Sequence, residues 1–269
     1  MYRLYVGYAK HRYMIRSLFL LLLCGLLAGC SKENTPIEFI NLNQDFTLTL
    51  NQYLSDEGSY PLIRVQTTNM VNCSNSTIRS EHHIDINGIN MTIFEILTEG
   101  DCAGGTTYAS TEQEVVLPDG QFPFTISISE ITEFIGQLII SEDSYQLVLD
   151  DQEGINVNRK SLQRIPSQLI WGYIRSSDLD VSELYQLMIA GLSDLAVEKN
   201  DLIAGDYDFF NIYENEPIAV NNAPHDDFTY HFILEHHDDI SGISDYFKHL
   251  RNNNPNIDIQ VQESSGIQF

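Results

Sequence analysis

The stretch IDINGINM, residues 84–91, sets an Asn-Gly pair between two runs in which apolar and polar residues alternate. Such alternation is the period of a half-buried β-strand, because successive side chains point to opposite faces. Asn-Gly between two such runs favours a tight turn with φ above zero, the strongest short-range hairpin signal. Residues 84–97 therefore read as a hairpin and the continuation of its second strand. Cys73 and Cys102 flank the Asn-Gly pair at equal sequence distance. A hairpin closed there carries its two outer ends toward each other.

Outward from this hairpin the texture stays β-rich. Residues 46–50 (FTLTL) alternate, residues 62–71 are rich in Ile, Val and Thr, and further short segments fall at 115–117, 122–128, 135–140 and 145–149. Turn-forming residues separate them at 118–120 and 141–143. Seven or eight short strands without helical periodicity predict an antiparallel β-sandwich over residues 41–150. The segments are too short, and too poor in aromatic girdles, for a transmembrane barrel. Residues 151–168 are polar, with Gly154, Lys160, Arg164 and Pro166, and read as a linker.

The second half changes period. Residues 169–175 (LIWGYIR) form a strand-like run. Asp180-Val181-Ser182-Glu183 has the form of a capping box. Val181, Leu184, Met188, Leu192 and Leu195 follow at helical spacing. Strands are expected at 207–213 and 229–235, and a second helix is marked by Ile240, Ile243, Phe247 and Leu250. Asn254-Pro255 ends that helix, and Ile257, Ile259 and Val261 alternate as a last strand. The order β-α-β-β-α-β over residues 169–269 resembles the ferredoxin-like fold, which implies one four-stranded antiparallel sheet with both helices on one face. That architecture hosts many unrelated functions, so it names none.

The N-terminal residues carry an address. Lys10, Arg12 and Arg16 precede an apolar run at residues 18–27, too short for the roughly 18 to 20 residues of a membrane-spanning helix. It has the length of a signal-peptide core, and Met14 would open a signal of ordinary length. Leu27-Ala28-Gly29-Cys30 resembles the lipobox of bacterial lipoproteins. The resemblance implies removal of residues 1–29, a diacylglyceryl thioether on Cys30, and acylation of its new N-terminus by palmitate-like chains. Several acyl chains, each contributing about 0.8 kcal/mol per buried CH₂, hold a protein on a membrane without spanning it. Ser31 stands where an Asp would retain an enteric-type lipoprotein at the inner membrane, which implies an outer-membrane address. Lys32-Glu33 is similar to the charged surface-export signals of Bacteroidota lipoproteins, and residues 30–40 are expected to be a lipidated tether.

An exported chain makes the flanking cysteines a pair. After Cys30 only Cys73 and Cys102 remain, and an even number in an oxidising compartment reads as a disulfide. Composition bounds the partners. The net charge is −24, and without Arg3, Lys10, Arg12 and Arg16 there remain 10 Lys+Arg against 38 Asp+Glu, a formal −28. So acidic a surface repels nucleic acid and anionic headgroups. A hydrophobic content of 43% is that of folded, core-forming domains rather than a disordered stalk.

No catalytic signature is present: there is no G-x-S-x-G elbow, no H-E-x-x-H helix, no P-loop and no dinucleotide fingerprint, and no cofactor is implied. The densest polar string is Glu235-His236-His237-Asp238-Asp239, with His225-Asp226-Asp227 nearby in sequence; it lacks the converging spacing of metal ligands, and its acids read as helix N-terminal residues. Asp178-x-Asp180-x-x-Glu183 lacks the glycine and length of a calcium loop. Neighbours such as His82 and His83 point apart on a strand. The remaining candidate site is aromatic. Trp171 and Tyr173 share one face of the first strand of the second half, and Tyr207, Phe209 and Tyr213 share one face of the next expected strand. With helices on the other face, this aromatic face would lie uncovered, as a packing surface or as a stacking platform for a glycan or peptide. The sequence thus points to a non-enzymatic cell-envelope lipoprotein that binds a protein or glycan partner. A structural subunit of an envelope assembly, or a metal-assisted enzyme around His236 and His237, is the alternative.

Overall fold

Alternating side chains build most of the chain into strands. The computed structural model describes residues 46–269 other than 99, 129–131, 151–153, 177–179, 215–217, 225–227 and 238–239. The expected signal, tether and lipidation site at Cys30 lie outside the described residues, as do Asp178, His225, Asp226, Asp227, Asp238 and Asp239. Strands take up 55% of the described residues, beside two helices. That is more than twice the roughly 20–25% of an average globular protein and sets the class as mainly β.

The first twelve strands are β1 (Phe46–Ser55), β2 (Gly58–Thr67), β3 (Val71–Asn72), β4 (Ser76–Asp85), β5 (Gly88–Thr98), β6 (Thr106–Thr107), β7 (Ser110–Glu114), β8 (Gly120–Ile128), β9 (Thr132–Ile140), β10 (Ser144–Leu149), β11 (Ile155–Arg159) and β12 (Ser161–Gln163). They form a four-stranded sheet in the order β11-β1-β2-β7 and a six-stranded sheet in the order β12-β10-β9-β8-β5-β4, with β3 and β6 paired apart. Both sheets contribute to one apolar core: Phe46, Leu48, Leu50 and Ile63 from the first, and Met91, Phe124, Leu138 and Leu147 from the second. Alternate residues of the longer strands, such as β1 and β9, are buried, as the period-two reading requires.

Three expectations are corrected here. The sheets are mixed rather than antiparallel, because β1 pairs with β11, and β5 with β8, in parallel. Residues 151–168 are no linker: β11 joins the four-stranded sheet beside β1, and β12 joins the six-stranded sheet beside β10. Ile155, Val157 and Leu162 supply three buried apolar side chains to the common core, a short alternation that the flanking Gly, Lys, Arg and Pro obscured. Residues 115–117 are not a strand; the pairing segment is β7, and Val115 is buried just beyond it.

The hairpin sits one residue from where the Asn-Gly signal put its centre. Asp85 pairs with Gly88, so Ile86 and Asn87 are the turn and Gly88, at φ +152, opens β5. A Cβ on Gly88 would lie 2.8 Å from the Pro123 carbonyl oxygen, so this position requires glycine for space as well as for conformation. Asp85 accepts the Asn87 N–H at 2.8 Å, and that bond chiefly holds its carboxyl below the usual carboxylate range. At the far end Cys73 and Cys102 are bridged, with Cα atoms 5.1 Å apart. The disulfide staples the open end of the hairpin, beside β3 and β6, as the spacing predicted.

The second region contains β13 (Leu169–Arg175), α1 (Ser182–Leu192), β14 (Ala196–Glu198), β15 (Gly205–Asp206), β16 (Phe210–Ile212), β17 (Ala219–Val220), β18 (Thr229–His236), α2 (Ile240–Asn253) and β19 (Asp258–Glu263). Its main sheet runs β14-β18-β13-β19, all neighbours antiparallel. Met188 and Leu192 of α1, with Ile243 and Phe247 of α2, bury one face of that sheet over Ile170, Ile174, Phe232, Leu234, Ile259 and Val261. Both apolar stripes read from the sequence are thus used. Asp180 is not the cap residue: the position before α1 is Val181, which makes no side-chain capping bond, and Asp180 Oδ1 instead accepts Ser182 N–H and the Tyr230 hydroxyl.

The strand that follows α1 is β14, not residues 207–213. Those residues belong to a separate three-stranded sheet, β15-β16-β17, inserted between β14 and β18. The sequence pattern there is aromatic enough for one long strand, yet Asp208 stands at φ +70 and breaks it into a turn. The insert is tied to the first region by polar bonds. The buried Gln52 side chain donates to the carbonyls of Gln163 and Tyr207 and accepts the Ile165 N–H. Asp208 accepts the Gln52 N–H at 2.8 Å and pairs with Arg159, whose Nε lies 3.1 Å from Asp206.

Candidate functional site

The insert folds over the face of the main sheet opposite the helices. Trp171 is 1% exposed and Tyr207 3% exposed, in a cluster with Ile165, Leu169, Phe210 and Ile233. The Trp171 ring lies 5.7 Å from Phe209 and 5.4 Å from Phe210, and Tyr207 stacks on Phe210 at 4.7 Å. Burial, helped by the charge of Asp143, pushes the Tyr207 phenol up to about 12, and its hydroxyl is held by the Ile203 carbonyl. The expected uncovered aromatic face therefore has a cover, supplied by the chain itself. Trp171 and Tyr207 are core residues, Phe209 packs against that core, and Tyr213 is 46% exposed beyond the end of β16.

The cover stops short of Tyr173. Two residues on along β13, its ring is half-buried and lies edge-on to His231 at 6.4 Å. Its hydroxyl donates to Asp258 at 3.2 Å; burial first, then that carboxylate, raises its pKa and keeps the phenol neutral. Beside it opens a cleft of about 250 Å³. Its floor is Trp171, Gly172 and Tyr173 of β13. One wall is the end of the insert, Val220, Asn221 and Asn222; the other is β19 with Gln260 and Gln262, closed by Gln268. A Cβ on Gly172 would come within 2.0 Å of the Gln260 carbonyl oxygen, so the close approach of β19 to β13 depends on that glycine.

The walls are held from behind. Asn221 donates to the Asp208 carbonyl and accepts from the Asn211 amide at 2.9 Å, and Asp208 is itself fixed by Arg159 and Gln52. Val220 N–H donates to Nδ1 of His231 at 3.3 Å, pinning the insert to β18. Asn222 stands at φ +62, a conformation that Asn tolerates better than most side chains. Gln260 Nε2 donates to Asp258 at 2.9 Å, and its side-chain carbonyl makes no hydrogen bond among the described residues. Asn222, Gln262 and Gln268 make no side-chain hydrogen bond among the described residues. Five carboxamides thus line the cleft, and among the described residues no Asp, Glu, Lys, Arg or His does.

A second polar centre lies at the end of the helix-covered face. Glu263 (6% exposed) accepts Ser264 Oγ at 2.7 Å, Ser265 N–H at 2.8 Å and the Ser265 hydroxyl, and lies 3.4 Å from Nε2 of His236. Burial pushes its carboxyl up, but the bonds from Ser265, Ser264 and His236 outweigh it and hold the group below the ordinary range. Both hydroxyls donate to the acid rather than to the imidazole, so neither serine is paired with His236 as a base. His236 is buried and His237 exposed, and the two imidazoles do not converge. Among the described residues, no group of three or more His, Cys, Asp or Glu side chains gathers as metal ligands would. No described helix is long and apolar enough to cross a membrane.

Sequence reading found Trp171 and Tyr173 but missed the amides. The available signal was in IDIQVQ, residues 257–262, where two of the three outward positions are glutamine, after Asp258, in a chain otherwise rich in acids. Compared with known proteins, the chain matches no family model, no curated protein and no solved structure.

Proposed function

We infer that this chain is a non-enzymatic, lipid-anchored binding protein of the cell envelope, and that it receives its partner in the cleft beside Tyr173. One observation carries the reading: in a chain of net charge −24, no Asp, Glu, Lys, Arg or His among the described residues lines the cleft, while carboxamides and the Tyr173 ring do. Small, concave sites with a few convergent polar groups are where proteins hold ligands. Catalysis of hydrolytic or transfer type draws on proton carriers, nucleophiles or metals gathered at the site; of these the described lining offers only the Tyr173 phenol, raised in pKa and bonded to Asp258. The lipobox-like Leu27-Ala28-Gly29-Cys30 supports the anchor.

The same reading takes the two sheets of residues 46–163 as a β-sandwich and residues 169–269 as a ferredoxin-like domain. The support is their shared core and the strand order β14-β18-β13-β19 with both helices on one face, the insert being an addition between the second and third strands. In this arrangement the sandwich braces the insert, and the insert shapes the cleft.

Two measurements test the reading. Cys30→Ser is expected to leave the precursor uncleaved and to move the protein from the membrane to the soluble fraction; continued attachment of that variant defeats the anchor. Trp171 is the only tryptophan and lines the cleft. Its fluorescence is therefore a local reporter, and saturable change on titration with envelope glycan or peptide fractions is expected. Turnover on a hydrolase panel that disappears on mutating His236 or Glu263 overturns the non-enzymatic assignment.

A further inference from the structure

We propose that the cleft beside Tyr173 takes a neutral saccharide, one sugar ring at a time, with the ring face against Tyr173 and the hydroxyls on the carboxamides. The proposal rests on the reading of this cleft as the binding site, and it names the ligand class. Four observations lead to it.

The first is the chemistry of the walls. A carboxamide carries both a donor and an acceptor, and so does a sugar hydroxyl, so the two pair in either direction without a fixed charge. The side-chain amides of Asn222 and Gln262 and the side-chain carbonyl of Gln260 make no hydrogen bond among the described residues and line the same opening. The second is what the walls leave out. An anionic ligand would call for Lys or Arg, and a cationic one for free Asp or Glu; among the described residues neither lines this cleft, and the adjacent Asp258 carboxylate is already engaged by Tyr173 and Gln260. A ligand bearing charge would leave that charge unpaired at the site, which costs affinity.

The third observation is size and shape. A cleft of about 250 Å³ falls just under the roughly 300–1,000 Å³ of pockets for drug-sized ligands. It admits a single ring and leaves a chain to extend into solvent. Tyr173, half-buried and kept neutral, offers an apolar ring beside polar walls, the pairing that suits the C–H face of a sugar. The fourth is the edge of the sheet. A peptide would be captured most readily by strand addition along β19. That edge is already occupied: Glu263 N–H donates to the Ile267 carbonyl, Phe269 N–H donates to the Val261 carbonyl, and Gln262 bridges to Gln268. Backbone-driven peptide binding has no free ladder there.

The test uses the full chain solubilised in a sugar-free zwitterionic detergent, with Trp171 fluorescence as the readout. The probes are neutral trisaccharides of glucose, mannose, galactose and N-acetylglucosamine, a trigalacturonate, and a trialanine peptide. Saturable change with at least one neutral trisaccharide, and none with the other two probes, is the expected result. Gln262→Ala should weaken that binding roughly two- to tenfold, the share of one neutral hydrogen bond, and Tyr173→Ala by about tenfold. Leu187→Ala, exposed on α1, should leave it unchanged. Far-UV dichroism of each variant separates lost binding from lost folding, and Gln262→Ala, on a partly exposed side chain, keeps the test open if Tyr173→Ala fails to fold. Preference for trigalacturonate or trialanine, lost in Gln262→Ala, overturns the saccharide assignment while leaving a binding cleft. Silence of all probes overturns the saccharide assignment, and a response to unfractionated envelope extract then decides whether the binding reading survives.

Discussion

The two faces of the β14-β18-β13-β19 sheet have opposite fates. On the helix face, apolar residues of α1 and α2 cover the sheet, and the polar groups at its end are mostly spent on one another, with His236 Nδ1 left without a partner among the described residues. Glu263 collects two hydroxyls, a backbone N–H and an imidazole. On the other face the cover is an insert that reaches Trp171 and stops before Tyr173. There the polar groups are amides with capacity left over. A polar group sealed from water must be satisfied from within, because an unmade bond there is costly. A polar group at an opening carries no such constraint and is free to meet a ligand. The difference teaches where to look for function: at the edge of a cover, rather than in the best-bonded cluster.

The most destructive way to break the comparison is to hollow out each face. Phe247→Ala removes the fully buried ring that stacks on Phe232 under the helices. Trp171→Ala does the same beneath the insert. Each should cost about 3–5 kcal/mol, the transfer and cavity cost of a large buried aromatic. Guanidinium unfolding followed by far-UV dichroism measures both. A cost for Trp171→Ala below about 1 kcal/mol would mean that the insert is a loose flap and that the second face is not a core at all.

A smaller effect tests a strand end covered by neither helix nor insert. The open end of the β4–β5 hairpin is exposed around Cys73 and Cys102, and the disulfide holds it. The double variant Cys73→Ser with Cys102→Ser should lose on the order of 3 kcal/mol, the loop-closure value for a bridge of sequence separation 29. Neither cysteine lines the cleft, so ligand-induced Trp171 fluorescence should persist below the new unfolding midpoint. Loss of binding without loss of stability would show the two regions to be coupled.

How far these features were legible depends on the range of the interaction behind them. The hairpin, its staple and both helical stripes are local patterns, and Ile84–Ile89 or Ile243–Phe247 state them within a few residues. The missed parts are long-range. β11 is a strand because β1 lies open beside it, and nothing within residues 155–159 announces a parallel partner more than a hundred positions away. The aromatic residues of 207–213 carry strand-like composition, but the Asp208 turn and its bonds to Gln52 and Arg159 bend them over Trp171. The cleft draws its walls from β13, the insert and β19, so its amides meet only in the folded chain. Only the glutamines of β19 could have been suspected beforehand, as uncharged outward positions in an acidic protein.

The smallest effect probes the carboxylate that closes the dry face, and its sign follows from the lowered pKa of Glu263. Its carboxyl titrates below its ordinary value of 4.5 in the folded protein, because the bonds from Ser265, Ser264 and His236 outweigh the opposing cost of burial. A group whose folded value is depressed adds stability above the unfolded value, and that contribution disappears as pH falls through the folded value. Urea unfolding of the wild type should therefore weaken as pH drops below about 4.5. Glu263→Gln keeps the shape but loses the charge, and turns an amide N–H₂ toward donors that need an acceptor. It should cost about 1–3 kcal/mol at neutral pH. It should also flatten the acid limb, since the group that titrates there is gone. The comparison of interest is the gap between the two stability curves, which should be widest at neutral pH and narrow as pH falls below 4.5. Parallel curves would mean that the carboxylate carries no charge-dependent share of stability, and that the dry face ends in packing alone.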